Sequence, residues 1–151
     1  MDLRRLVGSG DRIVLFTLPF LVVGLILNLA FPGWFEVGGP SDLLRVISIV
    51  VLIPGVVVWI WSAVLVLRKV PRGELITSGP FALVKHPIYT GVSFLVLPWI
   101  GFLLDTWLGA AIGLVLYIGS RWFAPAEEAA LSETFGPAWD GYAGTVKIPW
   151  L

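Results

Sequence analysis

Two stretches without a charged side chain, Ile13–Phe31 and Val46–Leu67, constrain this chain more than any other feature. A helix needs about 20 apolar residues to cross a hydrocarbon core of about 30 Å, and both stretches reach that length. Ile88–Leu104 is shorter, and so is the run from Thr106 to Phe123, where Arg121 snorkels toward water. Only Asp105 and Thr106 interrupt these last two, which predicts a tight antiparallel hairpin; a re-entrant hairpin is the alternative. The expected fold is an all-α polytopic membrane bundle, one domain over residues 1–151. It has about four transmembrane helices, at 13–31, 46–67, 88–104 and 106–123, and a short cytoplasmic C-terminal helix.

Composition agrees. Hydrophobic residues make up 58% and charged residues 13%, about half the charged share of a soluble domain. Ten bases balance ten acids, so nucleic-acid binding has no electrostatic basis. Without cysteine, and with His86 as the one histidine, neither a thiolate nor a multi-histidine metal site is expected. The first apolar run is too long for a cleaved signal peptide, and Asn28-Leu29-Ala30 is a poor cleavage site.

Lysine and arginine set the orientation. Arg4, Arg5 and Arg12 precede the first span; Arg68, Lys69, Arg72 and Lys85 lie between the second and third; Arg121 and Lys147 come late. Arg45, at the start of the second span, is the exception. Both termini and the loop 68–87 are therefore expected in the cytoplasm, in a membrane of prokaryotic type. Pro32-Gly33 stops the first helix, Ser41-Asp42 caps the second and Pro54-Gly55 kinks it. Gly109 and Gly113 share one face of the fourth helix and suit close packing.

Chemistry is confined to two polar stretches. In the first, Ser78-Gly79-Pro80 is a turn, and Pro87 opens the third helix with His86 at its cap. The amides there can bind an anion or carboxylate. Tyr89 and Gly91 follow within a turn or so, the glycine giving a flat ligand access to the backbone. The bland alternative makes His86 and Tyr89 interfacial anchors. In the second, Pro125–Phe135 reads as a short helix ended by Gly136, with Glu127 and Glu128 in its first turn. Either the helix dipole alone explains these acids, or they face His86 across the hairpin, ready to accept bonds from ribose hydroxyls and attract a sulfonium. Arg121 can clamp a carboxylate. Phe135 to Tyr142 is aromatic and turn-rich; Trp139, Tyr142 and Trp150 read more readily as interfacial anchors than as ligand contacts.

Together, Leu75-Ile76-Thr77-Ser78-Gly79-Pro80-Phe81-Ala82, Lys85-His86-Pro87-Ile88-Tyr89-Thr90-Gly91, Arg121, Glu127-Glu128-Ala129-Ala130-Leu131 and Phe135-Gly136 resemble the isoprenylcysteine carboxyl methyltransferase family. The wider group includes phospholipid methyltransferases. The likeness covers roughly residues 70–150. It implies S-adenosylmethionine-dependent methyl transfer to a lipophilic small-molecule acceptor drawn from the membrane lipid. It also implies cofactor contacts at Gly79, His86, Tyr89, Gly91, Glu127, Glu128 and Tyr142, and catalytic roles for Arg121, Glu127 and Glu128. Phe81, Lys85, Trp139 and Lys147 depart from the family's usual tyrosine, arginine, tyrosine and arginine, which leaves the acceptor open between carboxylate, amine and other nucleophiles. An NADPH-dependent lipid or sterol reductase and a non-catalytic membrane scaffold are the competing readings. The oligomeric state is not legible.

Overall fold

A computed structural model describes residues 8–39 and 41–148. Arg4, Arg5 and Trp150, used in the reading above, lie outside the described residues. Within them the chain is helical, without a strand; one isolated bridge pairs Glu36 with Thr106.

Three helices are long and apolar enough to cross a membrane: α1 (Gly8–Ala30), α2 (Asp42–Lys69) and α4 (Leu108–Phe135). Their apolar side chains largely face outward, Leu15 and Leu29 being 74% and 82% exposed. In water such a surface would aggregate; against lipid it is the expected exterior. Between α2 and α4 lies a shorter apolar helix, α3 (Pro87–Leu103). α3 packs on both α2 and α4, and α1 packs antiparallel along α4.

The local signals explain these boundaries. α1 stops at Ala30, before Pro32-Gly33. Ser41 caps α2, its Oγ accepting from the Leu44 amide at 3.2 Å. α2 then continues unbroken through Pro54. In α3, Pro98 cannot donate to the Phe94 carbonyl; the helix widens to a π turn over Val92–Val96, and the Trp99 indole donates to Phe94 O at 3.0 Å. A stranded backbone carbonyl is thereby satisfied without water.

α3 and α4 meet through glycines. A Cβ on Gly109 would strike the Leu97 carbonyl oxygen, and one on Gly113 the Ser93 carbonyl oxygen. Gly101 and Gly109 face each other, an imaginary side chain on one lying 3.0 Å from the other's Cα. The turn between the helices uses Asp105 at φ 57°. Asp105 Oδ1 accepts from Gly39 N at 2.8 Å, Asn28 donates to Thr106 Oγ1 at 3.2 Å, and Phe35 stacks on Trp107 at 4.8 Å. These contacts gather the 31–39 loop and the α3–α4 turn at one end of the bundle. At the other end the Tyr89 hydroxyl approaches Gly10 of α1, near the 70–87 loop and the C-terminal part of α4.

The sequence reading is corrected at α4. Residues 125–135 are not a separate short helix. α4 runs 28 residues without a break, with Pro125 inside it. Pro125 and Arg121 are both exposed, so the carbonyl that the proline leaves without a donor stands at the surface. Glu127 and Glu128 are therefore mid-helix, and the helix dipole does not account for them. The short C-terminal helix is instead α5 (Pro137–Thr145), in the stretch read as turns. Gly136, at φ 53° and ψ −130°, makes the corner between them, a conformation that suits glycine. The apolar part of α4 ends at Phe123. Measured from the turn, α4 draws level with the start of α3 near residue 124, so both glutamates lie beyond that level, where Glu128 meets Lys85 and His86 of the 70–87 loop.

Candidate functional site

The loop between α2 and α3 is shaped by two short turns, Val70–Arg72 and Gly79–Ala82. Gly79 opens the second at φ 66°, and a side chain there would press on the Trp61 ring 3.1 Å away. This turn delivers Lys85 and His86 to the mouth of α3, with His86 at the N-cap and Pro87 in the first turn, as the sequence indicates.

Glu128 reaches them from α4. Its Oε2 accepts from Lys85 Nζ at 2.7 Å, and its Oε1 lies 3.2 Å from His86 Nε2. These groups are sheltered: the Lys85, His86 and Glu128 side chains are 15%, 8% and 25% exposed. The hydrogen bond from His86, with the Lys85 ammonium beside it, holds the Glu128 carboxyl down at about 2 against the opposing effect of burial. Glu127 behaves oppositely. Burial pushes its carboxyl above the usual range, the Glu128 charge adds to this, and His86 acts against it. Its Oε2 is buried and has no hydrogen-bond partner among the described residues.

That oxygen belongs to the wall of a cleft. With the solvent at its open mouth counted, the free space there is about 810 Å³. Lys85, His86 and Tyr89 line one side, and Glu127, Leu131 and Phe135 of α4 another. Trp139 and Tyr142 of α5 line it as well, as do Val66 of α2 and Val70 just beyond that helix. α5 is held down by its own apolar face, where Trp139, Tyr142 and Val146 pack against Leu75, Leu131 and Phe135. Two hydrogen bonds tie this C-terminal segment to the loop: Tyr142 Oη donates to Phe81 O at 2.8 Å, and Ile148 N to Leu83 O at 2.9 Å. Burial, with the Glu128 charge nearby, pushes the Tyr142 phenol up to about 12, so it remains a donor across the physiological range.

The structure thus brings together His86, Tyr89, Glu127, Glu128 and Tyr142 of the residues singled out from sequence. It does not bring the others to the cleft. Gly91 is buried beside Val58 of α2, Gly79 sits against Trp61, and neither lines the cavity. Arg121 is exposed and makes no hydrogen bond or ion pair among the described residues. Sequence reasoning passed over Lys85 as a site residue and took Trp139 for an interfacial anchor, although it is buried to 6%. The spacing of Trp139, Tyr142 and Val146, three and four apart, was the available signal for a buried helical face. Compared with protein-family models, curated proteins and solved structures, the chain finds no match.

Proposed function

We propose that this chain is an integral membrane methyltransferase that uses S-adenosylmethionine to methylate a lipophilic acceptor at the cytoplasmic face. On this reading α3 is a fourth, short span and forms a transmembrane hairpin with α4. One observation carries the proposal: a buried, unpartnered carboxylate oxygen of Glu127 lines a cleft beside the Lys85–Glu128–His86 cluster.

The donor set fits the cofactor's chemistry. A carboxylate with a free acceptor oxygen suits ribose hydroxyls or a cationic sulfonium, and Phe81 and Trp139 offer ring surface to a purine or a cation. When bound, the cofactor supplies an electrophilic methyl group. The chain's residues hold and orient the ligands, and the apolar walls exclude water, which strengthens every charge interaction inside. A carboxylate acceptor needs no base. An amine acceptor would give its proton to Glu127, the cleft carboxylate that carries a buried oxygen without a partner among the described residues. Val66, Val70 and Ile88, from the end of α2 and the start of α3, give the cleft an apolar lining suited to an acceptor arriving from lipid.

No observation favours the reductase reading. Lys85 is the one lysine or arginine among the cleft-lining residues, and Glu128 already neutralises it, which leaves a nucleotide 2′-phosphate without a partner. Thermal unfolding of the detergent-purified protein separates the readings. A ligand at about 100 times its Kd stabilises by about 2.7 kcal/mol. A raised Tm with S-adenosylhomocysteine supports the proposal; none with it removes the proposal, and a rise with NADP alone installs the reductase instead.

A further inference from the structure

We propose that the two adjacent glutamates divide their roles: Glu127 presents the carboxylate that a cleft ligand meets, while Glu128, gripped by Lys85, is a positioning residue that fixes His86 with its proton on Nε2. The first half rests on reading the cleft as the cofactor site; the second does not.

The division follows from how the oxygens are used. Both oxygens of Glu128 are committed, Oε2 to Lys85 at 2.7 Å and Oε1 to His86 at 3.2 Å, and Glu128 is not among the residues lining the cleft. Glu127 does line it, with Oε2 buried and unpartnered. Consecutive helical residues point about 100° apart, so one acid faces the cavity while its neighbour faces the Lys85–His86 corner. An ionised carboxylate only accepts hydrogen bonds, so His86 Nε2 must carry the hydrogen. Nδ1 is then the ring's acceptor whenever the imidazole is neutral. Lys85 completes the device. Glu128 stands next to another acid in a sheltered site, and the ammonium keeps it ionised and therefore able to orient the ring.

The test uses the full chain in detergent micelles or nanodiscs. His86 is the single histidine, so a nitrogen-15 spectrum reports its tautomer without ambiguity. The wild type is expected to be protonated at Nε2. Glu128→Gln should lower the tautomer ratio by about tenfold, because a glutamine can donate as readily as it accepts, and Lys85→Met should shift it in the same direction by releasing the second oxygen of Glu128. Lys85→Arg and Glu127→Gln should keep the wild-type pattern. The arginine control separates orientation from mere loss of packing. Dicyclohexylcarbodiimide attacks protonated carboxyls in apolar surroundings; as pH is lowered it should label Glu127 before Glu128 in peptide mapping, because burial pushes the first carboxyl up while His86 and Lys85 hold the second down. In calorimetry, Glu127→Gln should weaken S-adenosylhomocysteine binding about tenfold or more. An imidazole spectrum unchanged in both Lys85→Met and Glu128→Gln, or altered by Glu127→Gln, overturns the division, as does labelling of Glu128 before Glu127. If wild type binds no S-adenosylhomocysteine, the methyltransferase reading fails, yet the imidazole and labelling experiments still decide which acid does what.

Discussion

Glu128 gives a stability prediction with a sign. Its carboxyl lies near 2 in the folded chain against 4.5 for the unperturbed group. A folded-state value below the unfolded one means that the ion cluster stabilises fully above pH 4.5 and loses this contribution as pH falls from there toward 2. Taken at full strength the difference is worth about 3 kcal/mol. Glu128 keeps 25% of its side chain exposed, and solvent screening reduces the expected contribution to about 1–2 kcal/mol. For a chain of this size that is roughly 2–8 °C in Tm. Tryptophan fluorescence suits the measurement, since the sequence holds eight tryptophans. Glu128→Gln should melt several degrees below wild type at pH 7, and the gap should narrow steadily as both are acidified below pH 4.5. Comparing the two proteins at each pH cancels the carboxylates that Glu128 does not touch; Glu127, which the Glu128 charge pushes up, is the exception and is removed by repeating the comparison in a Glu127→Gln background. A gap that stays constant down to pH 2.5, or no gap at pH 7, would refute the claim that Lys85 and His86 hold this carboxylate ionised.

Four further outcomes are expected. Gly109→Leu should destabilise the α3–α4 seam by at least about 1–3 kcal/mol, because its Cβ meets the Leu97 carbonyl oxygen rather than a movable side chain; a wild-type melting curve would argue against the close packing. Trp139→Ala should cost about 3–5 kcal/mol by emptying the α5 cluster, read as early proteolysis within 137–148. Tyr142→Phe, which removes only the bond to Phe81 O, should cost about 0.5–1.5 kcal/mol and speed hydrogen exchange in α5 while α1 is unaffected. Gly91→Ala should fold and bind ligand as wild type does, since its Cβ would rest in ordinary contact, 3.7 Å from Val58 Cγ1; lost binding with retained folding would return Gly91 to the ligand site.

Much of this was legible because apolar runs, caps and breakers act locally. The uncharged stretches gave α1 and α2, Ser41 gave the start of α2, and His86-Pro87 gave the start of α3. What escaped was decided by packing between distant segments. Pro125 looks like a helix opener, and only the structure shows Ala124 buried on one side of it and Leu131 and Phe135 engaged with α5 on the other, so that the helix gains by continuing. The same continuity fixes the rotation of α4. Without that rotation, no inspection of Glu127-Glu128 could tell which acid faces the cleft. Gly91 differs: a glycine one turn into a helix looks identical whether a ligand or a neighbouring helix approaches it, and Val58 of α2 is what stands beside it.

The length of α4 is what permits a polar site on so apolar a chain. Twenty-eight residues extend about 42 Å, against a hydrocarbon core of about 30 Å. α3, the shorter apolar helix, begins beside His86. α4 passes that level and carries its acids into the polar region, where α5 folds back over them. Breaking the helix at Pro125 would let 126–135 swing away from the loop and separate Glu128 from Lys85 and His86. The overhang therefore needs its tethers, Tyr142 to Phe81 and Ile148 to Leu83, as much as it needs the carboxylates. A bundle trimmed to the membrane's thickness would keep its seams and have no cleft to present.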